Sequence, residues 1–87
     1  MIDSVTIKDV KSQLGELCKQ KRQIYEMSQK DLAEALGLSR YTIQKFENGK
    51  NATLDTVLKV ANHFGLLNSI IKGINQTIDN ENNISLY

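Results

Sequence analysis

The 87 residues predict an all-α domain of five helices. Apolar residues recur at helical spacing in five stretches, among them Val10, Leu14, Leu17 and Cys18 near the start and Leu67, Ile70, Ile71, Ile74 and Ile78 near the end. Ser28, Ser39 and Thr53 stand where three of those stretches begin, as helix caps do. Gly37 and Gly65 stand where two of them end.

Residues 1–8 alternate weakly and read as an N-terminal arm. Helix 1 is expected from about residue 9 to Gln23 or Ile24, with Val10, Leu14, Leu17 and Cys18 as its apolar stripe. Tyr25-Glu26-Met27 links it to helix 2, which Ser28 caps and which spans residues 29–36. Leu32, Ala33 and Leu36 face inward there, and Leu38 plugs the corner after Gly37. Helix 3 follows from Arg40 to Glu47, with Ile43 and Phe46 as its core residues. Asn48-Gly49 marks a turn. Thr53 then caps helix 4, whose stripe is Leu54, Val57, Leu58, Ala61 and Phe64. A fifth helix is expected over residues 68–78, with Gly73 as its weak point. Residues 79–87 are polar and Asn-rich and read as a flexible tail. The domain proper is thus residues 9–67.

A chain of this length holds one small domain, and such domains bury only about 60% of their unfolded surface. A marginal core of that kind relies on well-packed helices or on a partner subunit. One cysteine, Cys18, excludes an intrachain disulfide and a cysteine-rich metal site. It reads as a small buried thiol. His63 has no second His or Cys at ligand spacing, so no metal and no cofactor is expected. Asp31, Glu34, Asp55 and Asp79 read as cap and surface charges, and no catalytic combination points to an enzyme. No apolar run is long enough to span a membrane, which makes a cytoplasmic location the expectation.

The formal net charge is only +1. Its distribution is uneven: residues 8–50 carry nine Lys/Arg against six Asp/Glu, a surplus of three. A mildly basic half does not by itself separate a nucleic-acid binder from a solvated helical surface.

Helices 2 and 3 are more specific. Two short helices that cross steeply need a small residue at the crossing, and Ala33 fills that place. The turn needs a residue that accepts positive φ, and Gly37 supplies it four positions later. Ile43 on the second helix is aimed back at the first, and Leu32 and Phe46 complete the wedge. This is the pattern of a helix-turn-helix over residues 29–48.

With Ser28-Gln29, Leu32-Ala33, Leu36-Gly37, Leu38-Ser39, Ile43, Phe46-Glu47, Asn48-Gly49-Lys50, Leu54 and Leu58 in order, residues 14–66 resemble the Cro and lambda-repressor-like (Xre) family of helix-turn-helix domains. The resemblance implies a compact five-helix fold that binds double-stranded DNA with helix 3 in the major groove. Position by position, it implies that Arg40, Tyr41, Gln44 and Lys45 read bases. Chemically, Arg40 and Lys45 suit guanine acceptors and Gln44 suits adenine. Ser28, Gln29, Lys30, Ser39, Thr42, Asn48 and Lys50 are the expected phosphate contacts, Gln29 from a helix N-terminus. Arg22 and Glu47 match a family pair that forms a mostly buried ion bridge between helices 1 and 3, the alternative being that Arg22 contacts phosphate. The sequence departs from the family at Glu26, where glycine is usual, and a differently shaped linker is expected there.

The stripe Leu67, Ile70, Ile71, Ile74 and Ile78 calls for cover. Either helix 5 folds back on its own domain, or it forms a homodimer contact that spaces two reading helices about 34 Å apart on a palindromic operator. Two function classes follow. One is a transcriptional repressor. The other is an interaction protein, because Leu54, Leu58 and Phe64-Gly65-Leu66-Leu67 more loosely resemble the HipB-like antitoxins, which implies a kinase-like toxin as partner. The end Ile84-Ser85-Leu86-Tyr87 reads as a docking segment, a degradation signal or neither.

Overall fold

The structure is a computed structural model and describes residues 4–85. Five helices follow one another: α1 (Ile7–Ile24), α2 (Gln29–Leu36), α3 (Arg40–Glu47), α4 (Leu54–His63) and α5 (Leu67–Ser85). Helix α3 packs against α1 and α2, α4 against α2, and α5 against α4. The fold is all-α, as the spacing of apolar residues predicts.

Helices α2 and α3 begin and end where their caps put them. Ser28 Oγ accepts the backbone N–H of Asp31 at 3.0 Å, and Asp31 returns the bond to the N–H of Ser28 at 2.9 Å. Those two bonds satisfy donors that a bare helix end leaves unpaired. Gly37 ends α2 at φ 70°, a left-handed conformation that costs glycine little. Leu32 and Ile43 are fully buried at the crossing, with Ala33 beside them. Removing either large side chain from water stabilises the fold by about 1.5–3 kcal/mol. Leu36, Leu38 and Met27 pack against the same cluster, which continues through Cys18, Phe46, Val60 and Phe64.

Five expectations need correction. Helix α1 starts at Ile7, two residues early, because Thr6 is its cap and Asp9 closes the reciprocal pair at 3.0 Å. The N-terminal arm is correspondingly shorter. Val10 and Leu17 are exposed rather than core, and Gly15 takes the buried place. There α1 and the end of α3 approach so closely that a Cβ on Gly15 would lie 2.5 Å from the Phe46 carbonyl oxygen and 2.7 Å from that of Glu47. In helix α4 the predicted Ala61 and Phe64 are buried and Val57 packs on the core, but Leu54 is 72% exposed, while Val60 and Thr56, outside the predicted stripe, are buried. Thr56 is tolerated because its hydroxyl accepts from Thr53 Oγ1 at 3.0 Å.

The fourth correction concerns the tail. Helix α5 continues to Ser85, past the expected end at Ile78. Neither glycine nor proline follows Gly73 to stop it, and extending an existing helix is far easier than starting one. Residues 86 and 87 of the expected terminal segment lie outside the described residues. Helix α5 does not fold back: every residue from 67 to 82 is exposed. The molecule accordingly measures 51 × 25 × 22 Å.

The fifth correction concerns the linker after α1: it is not differently shaped but keeps the left-handed turn that glycine would give it, because Glu26 itself adopts φ 54°. Its N–H donates to the Gln23 carbonyl at 3.0 Å, and that of Met27 to the Arg22 carbonyl at 2.9 Å. Neighbouring Tyr25 stacks on Phe64 with ring centroids 5.7 Å apart. A side chain in this conformation costs about 1–2 kcal/mol, part of which glycine gives back as unfolded-chain entropy. Glu26→Gly is therefore expected to raise stability by up to about 1 kcal/mol. A urea midpoint that stays level or falls refutes the strain.

Candidate nucleic-acid interface

The site is built on one buried carboxylate. Glu47, the last residue of α3, has a side chain only 3% exposed. Arg22, near the end of α1, donates to it through Nε at 2.7 Å and through Nη2 at 2.9 Å, a two-point bridge. The third nitrogen, Nη1, donates to the Met27 carbonyl at 2.9 Å. Gln29, the first residue of α2, donates from Nε2 to Glu47 Oε1 at 3.0 Å. The Cys18 thiol lies 3.6 Å from Oε2. Helices α1, α2 and α3 and the linker thus meet at one group.

The electrostatics follow from that geometry. Burial alone would raise the Glu47 carboxyl. The hydrogen bonds from Arg22 and Gln29 and the charge of Arg22 outweigh it and hold the group below the ordinary glutamate range. Burial, reinforced by the Glu47 charge and hydrogen bond, pushes the Cys18 thiol up to about 12. The thiol is therefore neutral and a poor nucleophile at physiological pH. Arg22 sits in this network with its side chain 12% exposed, which favours the buried ion bridge over the alternative of a phosphate contact.

With its inner face locked by Ile43 and Phe46, α3 presents Arg40, Tyr41, Gln44 and Lys45 outward. Tyr41 is 66% exposed although it is aromatic. The Lys45 ammonium lies 5.4 Å from the centre of its ring, a cation–π contact. Among the described residues, Arg40 and Gln44 make no side-chain hydrogen bond or ion pair, so their donors are available. Tyr41, Gln44 and Lys45 line a groove of about 720 Å³ together with Asn48, Lys50 and Asn51.

The structure separates the expected phosphate contacts by what they already do. Ser28 and Ser39 are spent as acceptors in caps, the latter to the N–H of Thr42 at 3.1 Å. The hydroxyls of Ser39 and Thr42 are also paired, at 2.8 Å. Gln29 keeps one side-chain N–H beyond its bond to Glu47. Lys30, Asn48 and Lys50 are exposed. The same groove is lined by Lys8 and Lys11 of α1, to which no site role attaches in the sequence. Their spacing of three was visible in the sequence, but their position beside α3 was not.

A helix-turn-helix family model matches residues 19–76. The chain belongs to the helix-turn-helix family. This helix-turn-helix domain is similar to DNA-binding regulators in two comparisons. It is 44% identical over 50 residues to an HTH-type transcriptional regulatory protein of Methanoculleus marisnigri, a match that covers 58% of this chain and 16% of that protein. It is 46% identical over 46 residues to one of Methanocella arvoryzae, covering 53% and 14% respectively. The chain thus spans about a sixth of the length of the relatives it matches. Among solved structures, it superposes on the HipB chain of the HipA–HipB–O2–O3 complex with a TM-score of 0.58 and 30% identity, covering 76% of this chain and 89% of that one. No helix among the described residues is long and apolar enough to cross a membrane.

Arg22→Met is expected to destabilise the domain by about 3 kcal/mol at neutral pH, by leaving Glu47 charged and uncompensated. Glu47 is depressed when folded, so its stabilising contribution is present above the ordinary value of 4.5 and is lost as pH falls through the lower folded value. The gap between wild type and variant should therefore narrow below about pH 4.5 in denaturation titrations. A gap that is constant from pH 7 to pH 3 contradicts it.

Proposed function

We propose that this chain is a sequence-specific, double-stranded-DNA-binding transcriptional repressor that acts as a homodimer on a palindromic operator. The observation that carries the reading is the outer face of α3. Arg40, Tyr41, Gln44 and Lys45 project from a helix whose other face is fixed in the core, and no acid stands among them. A helix held in this way fits the major groove, where a bidentate arginine or lysine selects guanine and an amide selects adenine. Gln29, Lys30, Asn48 and Lys50 flank that face and suit phosphates, which set register without carrying sequence information.

The homodimer reading is supported by α5. Its apolar side chains Leu67, Ile70, Ile71, Ile74 and Ile78 are 37–53% exposed, although Ile70 also lines an apolar pocket with Leu14, Leu17 and Phe64. A stripe of this size on a protruding helix is a surface that a second copy can cover with the same stripe. Pairing also doubles the phosphate contacts on which affinity rests.

A second reading, an antitoxin that binds a kinase-like toxin and autoregulates its operon, is favoured by the likeness to the HipB chain. Both readings use α3 in the same way and differ in the protein partner. Co-purification with a kinase-like protein from the adjacent gene supports the antitoxin, and operator binding without such a partner supports the plain repressor.

Binding-site selection with the purified chain tests the common core of the two readings. Against the selected operator, Arg40→Ala and Lys45→Ala are each expected to lose about 1–3 kcal/mol and to relax preference at one base pair. Lys50→Ala should weaken binding to all sequences alike and flatten its salt dependence. Equal behaviour of the Arg40 and Lys50 variants on operator mutants would end this division of roles. Ile71→Glu with Ile74→Glu should convert a dimer to a folded monomer in sedimentation equilibrium. A wild-type chain that sediments as a monomer at all concentrations removes the dimer.

A further inference from the structure

The first turns of α1 precede the family match, which begins at residue 19, yet they form one wall of the groove beside α3. Lys8 and Lys11 lie three positions apart, on one face of the helix. They line that groove with Lys45 and Lys50, so four of the chain's eleven basic residues converge on it. No carboxylate lines it. Asp9, between the two lysines, is engaged elsewhere: its carboxylate accepts the N–H of Thr6 at 3.0 Å. The near-neutral charge of the whole chain conceals this local concentration.

Two contacts hold this wall in place. Lys11 Nζ donates to the side-chain oxygen of Asn51, in the loop after α3. That loop also lies directly on α1, since a Cβ on Gly49 would be 3.1 Å from Ser12 Oγ and 3.3 Å from its Cα. The partner of Lys11 is a neutral amide, so its charge stays uncompensated. The start of α1 and the end of α3 are therefore parts of one surface.

We propose that Lys8 and Lys11 form an additional clamp on the DNA backbone, binding phosphates next to those held by Lys50. The clamp rests on α3 being the DNA reader. Lysine suits this role as a flexible, strongly hydrated point charge that attracts phosphate without a planar fork to read a base. A duplex offers one negative charge per roughly 1.7 Å of axis, a density matched by neighbouring lysines along one groove. The clamp adds affinity for every sequence and leaves base preference unchanged.

The test is the salt dependence of binding by the full chain to a short mixed-sequence duplex, read by fluorescence anisotropy. Each phosphate contact contributes about 0.9 to the slope of log K against log salt. Lys8→Ala with Lys11→Ala is expected to reduce the slope by about 1.8, and Lys8→Arg with Lys11→Arg to retain it. Lys8→Ala alone keeps the test valid if loss of the Asn51 contact disturbs the loop, with an expected reduction of about 0.9. Wild-type binding with an unchanged slope in the alanine variants overturns the clamp and leaves the α3 reading standing. Absence of duplex binding by the wild type, whether sequence-selected or mixed, overturns both.

Discussion

The carboxylate of Glu47 is where three helices are tied together, and the orientation of the outer face of α3 depends on it. Arg22 reaches it from α1 and Gln29 from the start of α2, while Glu47 itself ends α3. The same guanidinium holds the Met27 carbonyl, which fixes the linker between the first two helices. An eight-residue helix such as α3 has little stability of its own. Its pose is set by Ile43 and Phe46 beneath it and by this ion pair at its end. The arrangement is sensitive because a charge this deeply buried is tolerated only while its partners remain.

The apolar core and the ion network divide the work. The core of Leu32, Ile43, Phe46, Val60 and Phe64 supplies the driving force for folding. The network supplies direction, because a two-point bridge fixes angle as well as distance. Gly15 permits both by letting α1 approach the last carbonyls of α3 without a side chain between them. Shape, charge and close approach therefore converge on the end of α3, the point from which the groove-lining residues Asn48 and Lys50 continue.

The other end of the molecule follows a different logic. Helix α5 contributes no buried residue among the described ones, and its apolar stripe stays in contact with solvent. A small domain with a marginal core leaves the apolar stripe of this 19-residue helix largely in solvent. The proposed dimer uses this stripe, so on that reading association and DNA contact lie at opposite ends of the chain.

Local signals fixed much of this protein. The caps at Ser28 and Ser39, the turn at Gly37, and Ala33 and Ile43 at the crossing set the limits of α2 and α3 to the residue, because each acts within a few positions of itself. The residues of the candidate reading face were legible for the same reason, since helical spacing puts Arg40, Tyr41, Gln44 and Lys45 opposite Ile43 and Phe46. What depended on distant parts of the chain was not legible. That Val60 joins the buried face of α4 and Leu54 leaves it is decided by what α4 packs against. Glu26 takes a conformation unfavourable for its type because the contacts around it, including Tyr25 on Phe64, outweigh the local preference. The place of Lys8 and Lys11 beside α3 goes with the close approach of α1 and α3 at Gly15, where a Cβ would lie only 2.5 Å from the Phe46 carbonyl oxygen, and no local pattern announces it. Sequence alone determined which elements form and where the helix-turn-helix lies, because caps and turns are short-range. Only the tertiary structure decided which faces meet, because burial and ion pairing join residues far apart in the chain.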